Sequence, residues 1–314
     1  MAIRDQILLI NAETTPGTYQ TLVATDGILC GQFIPTIQEF EEAERQMISG
    51  LPGMAEPSVM VSKKASFEIP LEFAGSGTAG TAPGFDKILL ACGMVKSVTT
   101  GVSVTYTMGL TSSTPATRYS LATGIDGQAY RMAGALGSQF QIKLEPNGFA
   151  ACSATLQGLY VAPVDVANLT PVFAAQASPV TFNSAGVLPG TATVAGFAAC
   201  INSFSLTLAN TQTYRDNAGC GPEMLHANRE VSGSITIARP ALSGFDAFAT
   251  AANSTTGAIE LPLNGGAGNI STIKLPRVQF KSPKLVDVDG FSYLQMDWVS
   301  RHKTTADFPS FVFT

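Results

Sequence analysis

The best-spaced chemical motif in the chain is Gly75-Ser76-Gly77-Thr78-Ala79-Gly80, which matches the G-x-G-x-x-G pattern of dinucleotide-binding loops. In that pattern the glycines let the backbone approach a pyrophosphate at a helix N-terminus. The local context holds, because the loop follows a strand-like run and precedes a helix-like one. The wider context fails. An acidic residue is expected about 20 positions further on, yet no Asp or Glu occurs between Asp86 and Asp126. Pro83 also separates the glycines from the helix, and the downstream segments read as hairpins rather than a βαβ series. A flexible glycine-rich loop is the better reading, with a dinucleotide-binding enzyme as its rival.

Other residues that carry chemistry are scattered. His226 and His302 stand 76 positions apart, neither within ligand spacing of another His, Cys or carboxylate cluster. They read as surface or satisfied polar residues. No G-x-S-x-G elbow occurs, and no Cys is paired with His and Asn for acyl transfer. The five cysteines, Cys30, Cys92, Cys152, Cys200 and Cys220, are odd in number and widely spaced. They read as small buried apolar side chains in a reducing compartment. Lys274, Arg277, Lys281 and Lys284 recur every three or four positions, but Pro276 and Pro283 break any helix there, leaving a strand or loop surface. The acidic run Glu39, Glu41, Glu42 and Glu44 reads as a solvated helix face, or as an ion-pair partner for an adjacent subunit. The sequence thus points to no catalytic residue, no cofactor and no metal.

Composition narrows the field further. Of 314 residues, 45% are hydrophobic but only 13% are charged, about half the usual share. A surface so poor in charge must rely on Ser, Thr, Asn, Gln and Gly, or be covered by partners. Net charge is −5. Neither half is basic: the first 160 residues carry 9 Lys/Arg against 13 Asp/Glu, the rest 9 against 10. That disfavours electrostatic binding to duplex DNA or to an anionic membrane. Mean hydropathy is +0.22, but no run of 18 uninterrupted apolar residues accompanies it, and Asp5 stands where a signal peptide would begin its apolar core. A soluble protein made in a cytoplasm is expected.

Period-two alternation rich in Val, Ile, Thr, Phe and Tyr predicts strands at 59–61, 66–73, 102–108, 139–144, 154–161, 204–208, 231–238, 270–275 and 293–299. Asp126-Gly127, Asn147-Gly148, Asn264-Gly265-Gly266 and Asp289-Gly290 mark turns between them. Helix is scarce. Thr36-Ile37-Gln38-Glu39 has the capping-box pattern, and Ile37, Phe40, Ala43 and Met47 predict a helix running to Ile48. Two short helices are expected after Pro83 and Pro240. The class is mainly β.

An internal repeat organises these elements. Gly84-Phe85-Asp86-Lys87-Ile88-Leu89-Leu90-Ala91 is answered 160 positions later by Gly244-Phe245-Asp246-Ala247-Phe248-Ala249-Thr250-Ala251. Each copy follows an alternating strand and closes with a turn and a terminal strand, at Asn147-Gly148-Phe149 and at Asp289-Gly290-Phe291. Between the copies, 49 residues from Val166 to Tyr214 hold no charge at all, unlike a solvated linker. They predict an extended segment lying against protein, its own chain or a neighbour's, and large charge-depleted interfaces. The expected layout is a first domain over 1–165, an uncharged connector over 166–203 and a second domain over 204–314.

The stretch from Glu44-Arg45 through Val59-Met60-Val61, Phe67 to Phe73, the segment Ala74-Gly75-Ser76-Gly77-Thr78-Ala79-Gly80-Thr81-Ala82-Pro83 and on to Leu89-Leu90-Ala91-Cys92-Gly93 resembles the tail tube proteins of long-tailed bacteriophages. The resemblance continues through Val104-Thr105-Tyr106, Gly158-Leu159-Tyr160-Val161, Asn210 with Tyr214-Arg215, Arg229 with Ser232-Gly233-Ser234, and Gly268-Asn269-Ile270.

That resemblance implies a non-enzymatic virion protein of a phage with a flexible, non-contractile tail, made in the bacterial host cytoplasm. It implies two tail-tube-type β-sandwich or half-barrel domains, each with a short helix, whose strands join an inner barrel in the assembled ring. The partners it implies are further copies of the chain, as homotrimeric or homohexameric rings stacked into a tube. A tape-measure protein would fill the lumen, and tail terminator and distal tail or baseplate proteins would close the ends. DNA would pass only in non-specific transit, with no membrane partner. With the repeat, three two-domain chains would build a pseudo-hexagonal ring, with Glu39, Glu41, Glu42, Glu44, Arg45 and the loop Gly75, Ser76, Gly77, Thr78, Ala79 and Gly80 as interface candidates reaching neighbouring rings. The lumen is expected to be neutral to acidic. A ring or tube component of a bacterial secretion or injection apparatus is the alternative.

Overall fold

The computed structural model describes residues 6–44, 58–108, 117–167, 169–188 and 190–314. In chain order the strands are β1 (Ile7–Ala12), β2 (Gly27–Ile28), β3 (Thr36–Ala43), β4 (Val59–Glu72), β5 (Val95–Thr99), β6 (Ser103–Thr107), β7 (Tyr119–Ile125), β8 (Gln128–Leu144), β9 (Ala151–Asp165), β10 (Thr193–Val194), β11 (Phe197–Ala198), β12 (Ile201–Arg215), β13 (Glu223–Ala238), β14 (Thr256–Asn264), β15 (Ile270–Val288), β16 (Phe291–Ser300) and β17 (Ser310–Phe313). Two six-residue helices, α1 (Asp86–Ala91) and α2 (Ala247–Ala252), follow Pro83 and Pro240 as expected. The fold is mainly β and every strand pairing is antiparallel.

The predicted strands are all present and most are longer than their alternation suggested, because the flanking residues pair even where they alternate poorly. The predicted helix over 36–48 is not. Residues 36–43 form β3, paired with β4 through Thr36↔Ser66, Glu39↔Lys64 and Glu42↔Met60; residues 45–48 lie outside the described residues. Local capping chemistry lost to a tertiary partner. Val59-Met60-Val61 pairs with Ala43, Glu42 and Glu41, Phe40 packs edge-on against Tyr160 at 5.0 Å, and Lys64 bonds Glu41 at 3.1 Å.

Two four-stranded arrays have the same order and connectivity. The first runs β3-β4-β9-β8 and the second β12-β13-β16-β15. They are stitched together at one seam, where β8 residues 139–144 pair with β12 residues 204–209. The uncharged connector lies along its own chain: Val172 N donates to Ala24 O, Ala177 N donates to Gly75 O, Val180 O accepts from Ala150 N, and Phe182 is buried.

A further strand follows β16. β17 pairs with β15 on one side and with β6 on the other, so the C-terminal strand joins the two halves. Phe311 and Phe313 enter a common aromatic cluster with Phe73, Phe85, Tyr106 and Phe140, at centroid separations from 5.3 Å (Phe73–Phe311) to 6.1 Å (Phe85–Phe313). Phe311 is fully buried. Phe311→Ala is therefore expected to lower stability by about 3–5 kcal/mol in urea unfolding; a loss below about 1 kcal/mol would show that β17 does not hold the halves together.

Candidate assembly surface

The residues singled out from the sequence do not converge on a reaction centre. The glycine-rich loop is pinned rather than flexible. Gly75 N donates to Asn269 Oδ1 at 2.8 Å, Gly77 N donates to Gly268 O at 3.1 Å, and Ser76 Oγ donates to the carbonyls of Thr78 and Thr81. A side chain on Gly75 would come within 2.9 Å of Gly268 O, and Gly80, at φ +72°, presses directly on Gly101. These glycines serve close backbone approach, and the donors a pyrophosphate would need at Gly75 and Gly77 are already engaged. The segment after the helix is the β5–β6 hairpin, not a parallel crossover. Gly75 and Ser76 are buried, while Gly77 and Thr78 are exposed and Ala79 and Gly80 half-buried.

Glu39, Glu41, Glu42 and Glu44 lie on or just beyond β3 at the edge of the first array, so the acidic run lines a strand edge instead of a helix face. Arg45 lies outside the described residues. At the opposite end of the strand order, Lys274, Arg277, Lys281 and Lys284 all fall on β15, the strand surface expected of them. Lys274 pairs with Glu260 across the β14–β15 ladder. Among the described residues, no group of His, Cys, Asp or Glu could hold a metal ion. A surface cleft of about 580 Å³ includes Ser300 and His302 in its lining, with no hydrogen bond joining them among the described residues. His302 instead meets Phe308 edge-on.

Cys92 and Cys152 are buried as expected, but Cys200 and Cys220 are exposed and Cys30 is half-buried. Burial pushes the Cys92 thiol up to about 12 and the Cys30 thiol to about 11, which keeps both protonated. The two exposed cysteines sit at a strand entry and in the β12–β13 turn, where no core is available to them.

Sequence reasoning missed the polar clamp beside the seam. Asn210 and Arg229 are cross-strand partners on β12 and β13, one position beyond the seam's last pair, Ala209↔Gln139. Here β8 changes partner from β7 to β12, and the ladder with β9 shifts register between Gly137 and Gln139. The shift leaves carbonyls without ladder partners. Asn210 Nδ2 donates to Gly137 O at 2.8 Å and to Cys92 O at 3.0 Å. The Arg229 guanidinium donates to Cys92 O, Gly93 O and Met108 O at 2.8 to 2.9 Å, and to Asn210 Oδ1 at 2.7 Å. Cys92 O and Gly93 O lie at the C-terminus of α1, Met108 O just past β6 and Gly137 O at the switch, so Asn210 and Arg229 together satisfy a helix end and a strand switch. No carboxylate among the described residues pairs with Arg229, and burial lowers the guanidinium to about 10. The only sequence signal was that Asn210 and Arg229 fell among the residues carrying the family resemblance.

His226 also departs from expectation. It is half-buried, and among the described residues both of its buried ring nitrogens lack a hydrogen-bond partner, as do both polar atoms of its cross-strand neighbour Gln212. Burial holds the imidazole down at about 4, and the cations of Arg229 and Arg118 act in the same direction. Arg118 bonds Glu223 at 2.8 Å, and Glu223, also hydrogen-bonded by Arg215, is held below the usual carboxylate range.

Two outcomes follow for stability. Arg229→Met strips Gly93 O and Met108 O of their guanidinium donors, leaves Cys92 O to Asn210 alone, and is expected to lose about 2–4 kcal/mol in urea unfolding, with Arg229→Lys recovering only part, since an ammonium cannot span the planar fork. A neutral Arg229→Met would refute the clamp. For His226 the unfolded chain takes up a proton near pH 6.5 that the folded chain refuses until about pH 4, so stability falls as pH drops through that window. Thermal unfolding of the wild type should therefore weaken between pH 7 and 5, and His226→Phe should remove most of that slope; equal slopes would show that the ring titrates freely.

The whole-chain pattern has a counterpart among known proteins. No curated protein matches the chain. A family model described as phage tail tube protein matches residues 4–300. A mainly β fold agrees with that match, and the chain belongs to the phage tail tube protein family, which places it in the tail of a virion.

Proposed function

We propose that this chain is a non-enzymatic subunit that assembles into closed rings, stacked into the tube through which phage DNA is ejected. The observation that carries this reading is the repeated strand order. An array that ends in open edges is incomplete by itself, and the chain already contains one working junction between two such arrays. Heterologous junctions of this kind generate rings when the rotation closes.

Surface chemistry supports large buried contacts between copies. Ile34 is 79% exposed, and Phe149 and Phe291, which occupy matching places in the two hairpin turns, are 63% and 70% exposed. Val166, Leu169, Val172 and Phe173 add apolar surface along the connector. We read the two arrays as duplicated domains over 1–165 and 204–314 with a connector over 166–203, so that three chains give a pseudo-hexagonal ring in a flexible, non-contractile tail. In both copies a glycine and a buried phenylalanine, Gly84-Phe85 and Gly244-Phe245, lead into the short helix. The net charge of −5 suits a neutral to acidic lumen that does not retain DNA. A tape-measure protein in the lumen and terminator and baseplate proteins at the ends complete the reading.

Electron microscopy of the purified chain at high concentration, alone and seeded with tail tips from virions, tests this directly. Rings or tubes of constant diameter with three chains per ring are expected. Six chains per ring would refute the duplication, and monomers under both conditions would refute assembly into a tube.

A further inference from the structure

At the two outer ends of the joined arrays, β3 and the C-terminal part of β15 each leave a strand edge without a partner among the described residues, and the seam between β8 and β12 shows what each is shaped to receive. Among the described residues β3 hydrogen-bonds only to β4, and β15 from residue 280 onward pairs only with β16. In the repeated order β3 stands where β12 stands, and β15 stands where β8 stands. The seam therefore has an unfilled twin. We propose that the outer edge of β3 pairs antiparallel with the C-terminal part of β15 of a second copy, with Thr36 opposite Lys284 and Glu39 opposite Lys281. This rests on the ring assembly argued above and names the strands that close it.

The register follows from the ladders. Matching the turns at Asn147 and Asp289, both with positive φ, places Gln157 with Val299, and hence their partners Ser66 and Ser232 together. Ser66 pairs with Thr36 and Ser232 with Thr207, so Thr36 corresponds to Thr207. Lys64 pairs with Glu39 and Glu230 with Ala209, so Glu39 corresponds to Ala209. On the other strand, Ser153 pairs with Gln141 and Gln295 with Lys284, while Thr155 pairs with Gln139 and Asp297 with Lys281. The seam joins Thr207 to Gln141 and Ala209 to Gln139. Carried across, it joins Thr36 to Lys284 and Glu39 to Lys281.

An independent feature supports this register. β3 holds an extra residue between Thr36 and Glu39 relative to β4, and β15 holds one between Lys281 and Lys284 relative to β16, where Ser282 adopts φ +48°. The two irregularities face each other, so the interchain ladder stays in step through both. Charge is complementary as well, with Glu39 opposite Lys281; neither forms an ion pair among the described residues. Beyond this pair the same register sets exposed Ile34 against Val286. The bulge, Pro283 and two lysines make β15 a poor edge for indiscriminate pairing and a fitting one for a matching bulge.

The test is disulfide cross-linking in assembled tubes, in a background with exposed Cys200 and Cys220 replaced by serine. Glu39→Cys with Lys281→Cys should link copies into a ladder ending at the ring size, while either single variant, and the off-register pair Glu39→Cys with Leu285→Cys, should not. Tubes in which the matched pair fails to link, or the off-register pair links instead, would overturn the register with the tube reading intact. If the cysteine variants do not assemble, a reconstruction of wild-type tubes decides: adjacent copies joined through β3 and β15 support the proposal, and copies joined through other strands overturn it. Absence of tubes from the wild-type chain would remove the assembly reading itself.

Discussion

Backbone hydrogen bonds of a β-strand point sideways, so every strand in this protein must find a neighbour on both flanks or leave a row of donors and acceptors open. That requirement organises the molecule. The seam between β8 and β12 satisfies it within the chain, β17 satisfies it for parts of β6 and β15, and the short β10 extends β14. Core packing follows the same lines: one apolar cluster runs without a break from Leu8 through Phe140 and Phe204 to Phe313. Because both arrays share one cluster, neither is expected to keep its native packing without the other.

A strand that changes partners midway creates a local difficulty, since carbonyls at the switch face no ladder. The solution at β8 is a side-chain one. Asn210 and Arg229 stand just past the seam and give their donors to carbonyls of β8, α1 and the end of β6, including Gly137 O and Met108 O. An arginine suits the place because its five donors lie in a fixed plane and reach several acceptors at once. Burying a cation without a carboxylate is costly unless its hydrogen bonds are filled, and here four acceptors surround it. Close packing beside it tolerates no extra atom, as at Gly137, where a side chain would strike Cys92.

How much of this was legible in the residues depended on range. Alternation at Phe67–Phe73 and Tyr293–Val299, the short helices after Pro83 and Pro240, and the matched hairpin turns were all visible, because each rests on contacts between near neighbours. The misread helix at 36–48 shows the limit. Thr36 and Glu39 carry a valid helix-start pattern, yet the strand partner that overrode it lies more than twenty residues away on β4. The glycine-rich loop shows the same limit: read as flexible, it is pinned by groups from Gly268 and Asn269, nearly two hundred positions on.

By itself the sequence determined the mainly β class, the twofold recurrence of strand, helix and hairpin, the shortage of charge that calls for buried contacts, and the family. These depend on residue type, period and order, which are properties of the chain before it folds. Only the tertiary structure decided which strands are neighbours, that Asn210 and Arg229 hold the switch in β8, that the His226 ring nitrogens are buried with no partner among the described residues, and that the two arrays end at β3 and β15. Those depend on register, and a ladder's register is set by pairs far apart in the chain, to which no local pattern of residues corresponds.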